Sequence, residues 1–462
     1  MRVLIATHFF PPGHHGGTEA YTFGLAQALR QHGHSPFVIC AEDWGTGPNW
    51  VPAPEDTVYA GIPVRRLRWN WRLAPRPFVS LYDNAEVERH FAGYVRQLEP
   101  DVVHVTSCYT LGARIIRASR QAGIPTLLTL TDFWFLCPRH TLLRGDGSLC
   151  EGPESAVGCL KCLSSGVRAY RALTAVLPSD VVAGGLLAVS RWPWIRLPRG
   201  LRGSVGDAMA RLAFLRREFE HVDVALAPSQ FLIDVFVRYG YPVRRFRLWP
   251  YGLDTSWLSS LRPREAEARP RVGYIGQIDP IKGVHLLVEA FQSLSGQVSG
   301  ELRIYGDLAK NPRYGEKLRG VARRNPDIRF MGPFERSQIA DVLSELDIVA
   351  VPSVWYENAP VVITEAFAAR KPVIATNLPG MGELVEHGVN GLLFERGDVS
   401  GLASAIRLLV GDSALRGRLR DGVKPVRTVE QEVKELSQLY ESAVERAEAP
   451  FDPLGISRRR PR

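Results

Sequence analysis

Short runs of Val, Ile and Leu alternate with helical patterns along almost the whole chain, in two series parted by one polar stretch. That alternation constrains the fold most. Strands joined through helices pair in parallel, since each crossover must return along the sheet, and helices then cover both faces. In the first series RVLIAT (2–7), SPFVICA (35–41), DVVHVTS (101–107) and PTLLTLT (125–131) read as buried parallel strands, followed by VALAPS (224–229) and RFRLWPYG (245–252). Between the first two lies a helical segment with Leu25, Ala28 and Leu29 on one face, Thr18 as expected N-cap and Gly33 as stop. A second helix is expected over about 229–239. Residues 260–270, SLRPREAEARP, hold two prolines and no apolar period, as a linker does. The second series then opens with RVGYIGQ (271–277), LRIYGD (302–307), IRFMGP (328–333), DIVAVPS (347–353) and PVIATN (372–377).

The expected organisation of the 462 residues is therefore two doubly wound, Rossmann-like α/β domains. The first covers 1–261, with a Cys-rich and basic insertion at about 138–220, and the second covers 262–425. A helix within 426–450, with Val433, Leu436, Leu439, Tyr440 and Val444 on its apolar positions, must dock and is expected on the N-terminal domain. A basic tail, 451–462, follows. Hydrophobic residues at 45% and charged residues at 23% argue against wholesale disorder. No run of about 18 uncharged apolar residues occurs, and the most apolar one, AVLPSDVVAGGLLAV, is interrupted by Pro178 and Asp180. The chain starts directly on a strand with no secretory pattern, so a cytoplasmic location is expected. A formal charge of +9 fits nucleic acid, an anionic membrane or phosphorylated substrates. No zinc-finger, RRM-like or helix-turn-helix pattern supports nucleic acid.

Two segments carry the chemistry. In VGYIGQIDPIKGVHLLVEAF, Gly276 ends a strand and Lys282–Gly283 opens a helix, whose free N–H groups and neighbouring lysine suit a diphosphate. An ordinary turn with a solvated lysine is the other reading. In VPSVWYENAPVVITEAFAARKPVIAT, Glu357 and Glu365 have seven residues between them. If both are helical, their carboxylates stand about 12 Å apart along the axis. That is too far for an acid/base pair on one bond, but it suits a ligand with hydroxyl groups at both ends and charge between. The N–H groups of Asn358, Ala359 and Val361, around Pro360, would meet that charge. Two surface glutamates at a helix start are the alternative.

Cys137, Cys150, Cys159 and Cys162 are separated by twelve, eight and two residues. Disulfides are not expected in a cytoplasmic chain. A tetrahedral structural zinc, an iron–sulfur cluster and unligated thiols all remain open, zinc leading on the terminal Cys-x2-Cys. Cys40 and Cys108 fall in strand contexts and are expected in the core. The insertion also holds RWPWIRLPRGLRG (191–203), whose two Trp and four Arg suit contact with an anionic membrane or a basic loop folded on its own domain.

The segment from Pro352–Ser353 through Glu357, Glu365 and PVIAT, continued by LPGMGELVEHGVNGLLFERGD, resembles the signature of glycosyltransferase family 4, the retaining GT-B enzymes. GQIDPIKG is similar to that family's phosphate-binding turn and PPGHHGGTEAY to its N-terminal glycine loop. DVVHVTS, TLTDFW, APSQFL and PYGLD also match, so the resemblance covers nearly the full chain. It implies two domains facing across a cleft and a nucleotide-sugar donor. Glu365 would hold the ribose, and Glu357 would face the donor sugar. Lys282 would neutralise the departing diphosphate, with Gly16 and Gly17 bringing backbone N–H groups to it. No catalytic metal or other cofactor is implied. The acceptor implied is a glycan or lipid-linked sugar in cell-surface polysaccharide or glycolipid synthesis. Two positions depart from the family. Gln277 stands where an Arg is usual, and Thr131 stands where a His often precedes the motif's Asp, here Asp132. Asp132 is kept as a catalytic candidate, and none of His8, His14, His15 and His104 is assigned a catalytic role. A nucleotide-sugar epimerase and a non-catalytic sugar- or membrane-binding protein are the competing readings.

Overall fold

Strand β1 (Arg2–Thr7) has Val3, Leu4, Ile5 and Ala6 wholly buried, and it runs parallel to β2 (Ser35–Ala41) on one side and β5 (Val102–Val105) on the other. These belong to a computed structural model describing residues 1–448, apart from 15, 43, 44, 46, 154, 191–203, 263 and 265–268. The run 191–203, part of the 260–270 linker and the basic tail thus lie outside the described residues. The remaining strands of the first sheet are β3 (Ala53–Tyr59), β4 (Ile62–Arg68), β6 (Thr126–Thr129), β7 (Val224–Ala227) and β8 (Phe246–Leu248), in the order β3-β4-β2-β1-β5-β6-β7-β8. The second sheet contains β9 (Arg271–Ile275), β10 (Glu301–Tyr305), β11 (Ile328–Gly332), β12 (Ile348–Val351), β13 (Val373–Thr376) and β14 (Gly391–Phe394). Its order is β11-β10-β9-β12-β13-β14, with every neighbouring pair parallel. Two doubly wound α/β sheets are therefore present, as the alternation predicts.

Two local differences have physical reasons. The β3–β4 pair is antiparallel and was not among the expected strands. Most of APEDTVY is exposed, so this edge strand carries no apolar period, and pairing with β4 holds it. The first helix is Gly17–Gln31, capped by Gly16 without a side-chain bond, so Thr18 is not its N-cap. Thr18 is the second residue of that helix, and its carbonyl accepts from Thr22 Oγ1 at 2.7 Å. The insertion contributes helices Ala156–Ser164, Arg168–Thr174, Ser179–Ser190 and Ser204–Phe219.

The chain divides into two compact units. One comprises Met1–Thr129, Ala213–Ala225 and the chain from Val433 on, and the other Leu130–Leu212 and Leu226–Glu432. In the first unit Val433, Leu436 and Tyr440 of the Val429–Glu448 helix are wholly buried. His104 of β5 is also wholly buried, with Nδ1 2.6 Å from Tyr440 Oη and Nε2 2.7 Å from Thr129 Oγ1. It is a core histidine. Cys40 and Cys108 are core residues too, and burial pushes the Cys40 thiol up to about 12. Among the described residues no helix is long and apolar enough to cross a membrane.

Candidate functional site

The second sheet leads from β9 to β10 on one side and has β12 on the other, so the crevice beyond the carboxyl ends of β9 and β12 is a topological switch point. Each strand delivers one charged side chain there. After β9 the chain makes a short turn, Pro280–Lys282, and enters the Val284–Ser293 helix. After β12 it runs irregularly through residues 352–360 before the Val361–Ala368 helix. Lys282 Nζ donates to Glu357 Oε1 at 2.8 Å. The same oxygen accepts from Ser353 Oγ at 2.7 Å and Trp355 Nε1 at 2.8 Å, and Glu357 is only 7% exposed. Lys282 also sits over the Trp355 ring, 5.1 Å from its centroid. Three donors on one carboxylate oxygen fix the orientation of Glu357 in a buried place. A Cβ at residue 380 would fall 1.7 Å from the Glu357 carbonyl oxygen, so the turn from β13 can close under this loop only with Gly380.

Glu357 is therefore not helical, and the axial spacing expected for two helical glutamates does not apply. Glu365 is inside the Val361–Ala368 helix, 2% exposed, and ion-pairs with Arg336. Burial raises its pKa, which the Arg336 charge opposes. Asn358, Ala359, Pro360 and Val361 form the half-buried approach to the helix, with Pro360 as an N-cap that makes no side-chain bond. Asn358 Nδ2 donates to the Thr131 carbonyl at 2.8 Å, which fastens the Thr131–Asp132 segment to this loop. Asp132 Oδ1 accepts from the Trp134 N–H at 2.8 Å. Gln277 is exposed in the turn after β9.

Gly16 and Gly17 belong to the first unit, at the start of the helix that follows β1. A Cβ on Gly16 would meet the Glu19 carboxylate at 2.3 Å, whereas at Gly17 the space is open. Glu19 lies 3.4 Å from His8 Nε2, and although burial raises its pKa, His8 outweighs that and the carboxyl stays below its ordinary value.

Cys137, Cys150, Cys159 and Cys162 line one cavity of about 60 Å³ with Arg139 and Arg144. Burial raises the Cys137 and Cys162 thiols, and burial with the three neighbouring thiols pushes Cys159 up to about 12. Among the described residues no group of three or more His, Cys, Asp or Glu side chains is already arranged to hold a metal ion.

The sequence reading missed Ser353, Trp355 and Arg336, which hold the two glutamates, and the role of Glu383. Glu383 accepts from the N–H groups of Gln230 and Phe231, both at 2.7 Å, at the start of the Gln230–Arg238 helix. Ser353 and Trp355 stand within four residues of Glu357, a proximity that could have marked them. Arg336 and Glu383 meet partners remote in sequence and carried no such signal.

Comparison with known proteins matches residues 16–252 to the family model described as glycosyl transferase 4-like domain and residues 269–412 to that of glycosyl transferases group 1. A GDP-mannose-dependent alpha-mannosyltransferase of Mycolicibacterium smegmatis is 24% identical over 93% of this chain and 92% of its own length. A D-inositol 3-phosphate glycosyltransferase of Xylanimonas cellulosilytica is 27% identical over 48% of this chain, which spans 57% of that relative. Two solved structures share the fold. Sucrose-phosphate synthase from Thermosynechococcus elongatus has a TM-score of 0.64 at 19% identity, covering 96% of this chain and 99% of its own. Anabaena HepE in complex with UDP has 0.63 at 20% identity, covering 96% and 100%. The two doubly wound sheets are those of the GT-B fold.

Proposed function

For a chain that belongs to the glycosyl transferases group 1, with a glycosyl transferase 4-like N-terminal part, we propose retaining glycosyl transfer from a nucleoside-diphosphate sugar to a glycan or lipid-linked acceptor, in cell-surface polysaccharide or glycolipid synthesis. The observation that carries this reading is the Lys282–Glu357 pair at the switch point of the second sheet, with buried Glu365 in the helix that follows the Glu357 loop. A cation facing an oriented carboxylate suits a ligand that is anionic in the middle and hydroxylated at the ends. Glu365 accepts from ribose hydroxyls, Glu357 from a hydroxyl of the donor sugar, and the N–H groups of Asn358, Ala359 and Val361 face the sugar–phosphate junction. Lys282 leaves Glu357 for the diphosphate and stabilises the charge that develops as the glycosidic C–O bond breaks. The acceptor oxygen forms the new bond on the face the diphosphate leaves, and its proton passes to the leaving phosphate oxygen. Gln277 donates a hydrogen bond to the diphosphate, Asp132 serves the acceptor side, and Gly16 and Gly17 keep the role the resemblance implies, N–H groups offered to a phosphate. No catalytic metal is needed where Lys282 supplies the charge. The domain division at about 262 belongs to this reading.

A melting panel of UDP, GDP and ADP with their sugars tests it, because a ligand of the folded state raises the midpoint. One nucleotide and its sugar are expected to stabilise the protein, and Glu365→Gln to weaken that ligand about 10- to 100-fold by loss of a charged acceptor. A panel without response, or unchanged affinity in Glu365→Gln, removes the site assignment. HepE was solved with UDP-glucose and the M. smegmatis relative is named for GDP-mannose, so both bases belong in the panel.

A structural zinc at Cys137, Cys150, Cys159 and Cys162 is part of the same reading, supported by their shared cavity. Binding would deprotonate the thiols and draw them together. Elemental analysis is expected to find one zinc per chain in the wild type and none in Cys159→Ser/Cys162→Ser. Metal-free protein that takes up no added zinc would reject the site.

A further inference from the structure

Thirteen large hydrophobic side chains of the described residues are exposed, and four of them fall within nine residues: Leu173 at 45%, Val176 at 84%, Leu177 at 47% and Val181 at 61%. They surround the turn from the Arg168–Thr174 helix into the Ser179–Ser190 helix. The inner faces of these helices are accounted for. Tyr170 is buried, and Ala183 is wholly buried with Leu160 while Val157, Leu186 and Leu187 pack around them. A 2.9 Å ion pair from Lys161 to Asp180 ties the second helix down. The outward tip is thus an exposed apolar projection. The exposed basic residues on it are Arg168 and Arg171, and no carboxylate among the described residues ion-pairs with either. Asp180, the one acid of the tip, is neutralised by Lys161.

We propose that this tip docks the protein on an anionic bilayer, with Leu173, Val176, Leu177 and Val181 entering the headgroup boundary and Arg168 and Arg171 meeting lipid phosphates. Three properties favour lipid over protein. A projection this small presents at most a few hundred Å² of apolar surface. That is short of the roughly 800 Å² per partner in a stable protein interface. A bilayer needs no shaped groove, because its lipids rearrange around an inserted side chain. The unpaired charge on the tip is positive, as is the chain's formal charge of +9, and each basic residue near an anionic surface adds attraction. The inference is independent of sugar transfer.

Flotation of the full chain with vesicles of phosphatidylcholine alone, and with phosphatidylglycerol added to about one third, tests it. The wild type is expected to float with the anionic vesicles and to release at high salt. Val176→Glu/Val181→Glu should reduce the floated fraction about tenfold or more, with an unchanged melting midpoint as proof of folding. Arg168→Gln/Arg171→Gln, which leaves the apolar tip intact, should remove the preference for anionic vesicles. Wild-type protein that stays unbound with both vesicle types overturns the proposal, as does equal flotation of Val176→Glu/Val181→Glu. Light scattering that finds a wild-type dimer and a monomer for Val176→Glu/Val181→Glu also overturns it, in favour of a second copy as occupant.

Discussion

Lys282→Ala should lower kcat about 100- to 1000-fold, the usual loss when a charge stabilising a leaving group is removed, with a much smaller change in donor KM. Lys282 is held between Glu357 at 2.8 Å and the face of Trp355. In the proposed mechanism its work is done only once a diphosphate draws it away, and the cost of leaving Glu357 is shared by substrate and transition state. What Lys282 adds as the bond breaks appears in kcat. Lys282→Arg should recover part of the rate, since it keeps the charge but not the compact ammonium. A kcat within a few-fold of wild type in Lys282→Ala, with the donor still bound, would remove Lys282 from the chemistry and leave the pair as a structural tie.

The second large effect concerns stability and pH. His104 is wholly buried between Tyr440 and Thr129, and burial brings its pKa down from 6.5 to about 3. A neutral ring with one N–H can donate to one hydroxyl and accept from the other, whereas the imidazolium offers no acceptor. Because the folded value lies below the unfolded one, the unfolded chain takes up the proton first as pH falls. The contribution of His104 is complete above about pH 6.5 and is lost toward pH 3, at up to about 1.4 kcal/mol per pH unit. Denaturant melts of wild type and His104→Ala between pH 7.5 and 4 isolate this slope from the other titrating groups. The variant should be less stable by about 2–4 kcal/mol at pH 7.5, from the cavity and the two hydroxyls it leaves. The difference should shrink as pH falls below about 6. Parallel slopes in the two proteins would show that His104 is not the residue protonated on unfolding.

The central strands were legible because each is a short apolar run whose burial on both sides leaves no other use for it. RVLIAT and SPFVICA coincide with β1 and β2 to the residue. The edge strand β3 was not legible, since its residues are mostly exposed and only the antiparallel register with β4 makes them a strand. The helix after β1 was placed, but its cap was assigned to Thr18 by side-chain preference, whereas the backbone turns at Gly16. Lys282, Glu357 and Glu365 were picked out by motif, and the axial spacing that two helical glutamates would have does not apply, because the segment before Pro360 is irregular.

What the sequence by itself determined is where the central strands and the helix after the first of them lie, and which side chains carry charge at the ends of such segments. Those are local matters of apolar period, turn residues and resemblance. What only the tertiary structure decided is who meets whom. Lys282 and Glu357 are 75 residues apart and touch because β9 and β12 are neighbours at the point where strand order reverses. His104 meets Tyr440 across 336 residues because the last helix packs where β5 is covered. Such contacts depend on strand order and helix docking, which follow from burying every apolar face at once, and no local window of the chain contains that sum.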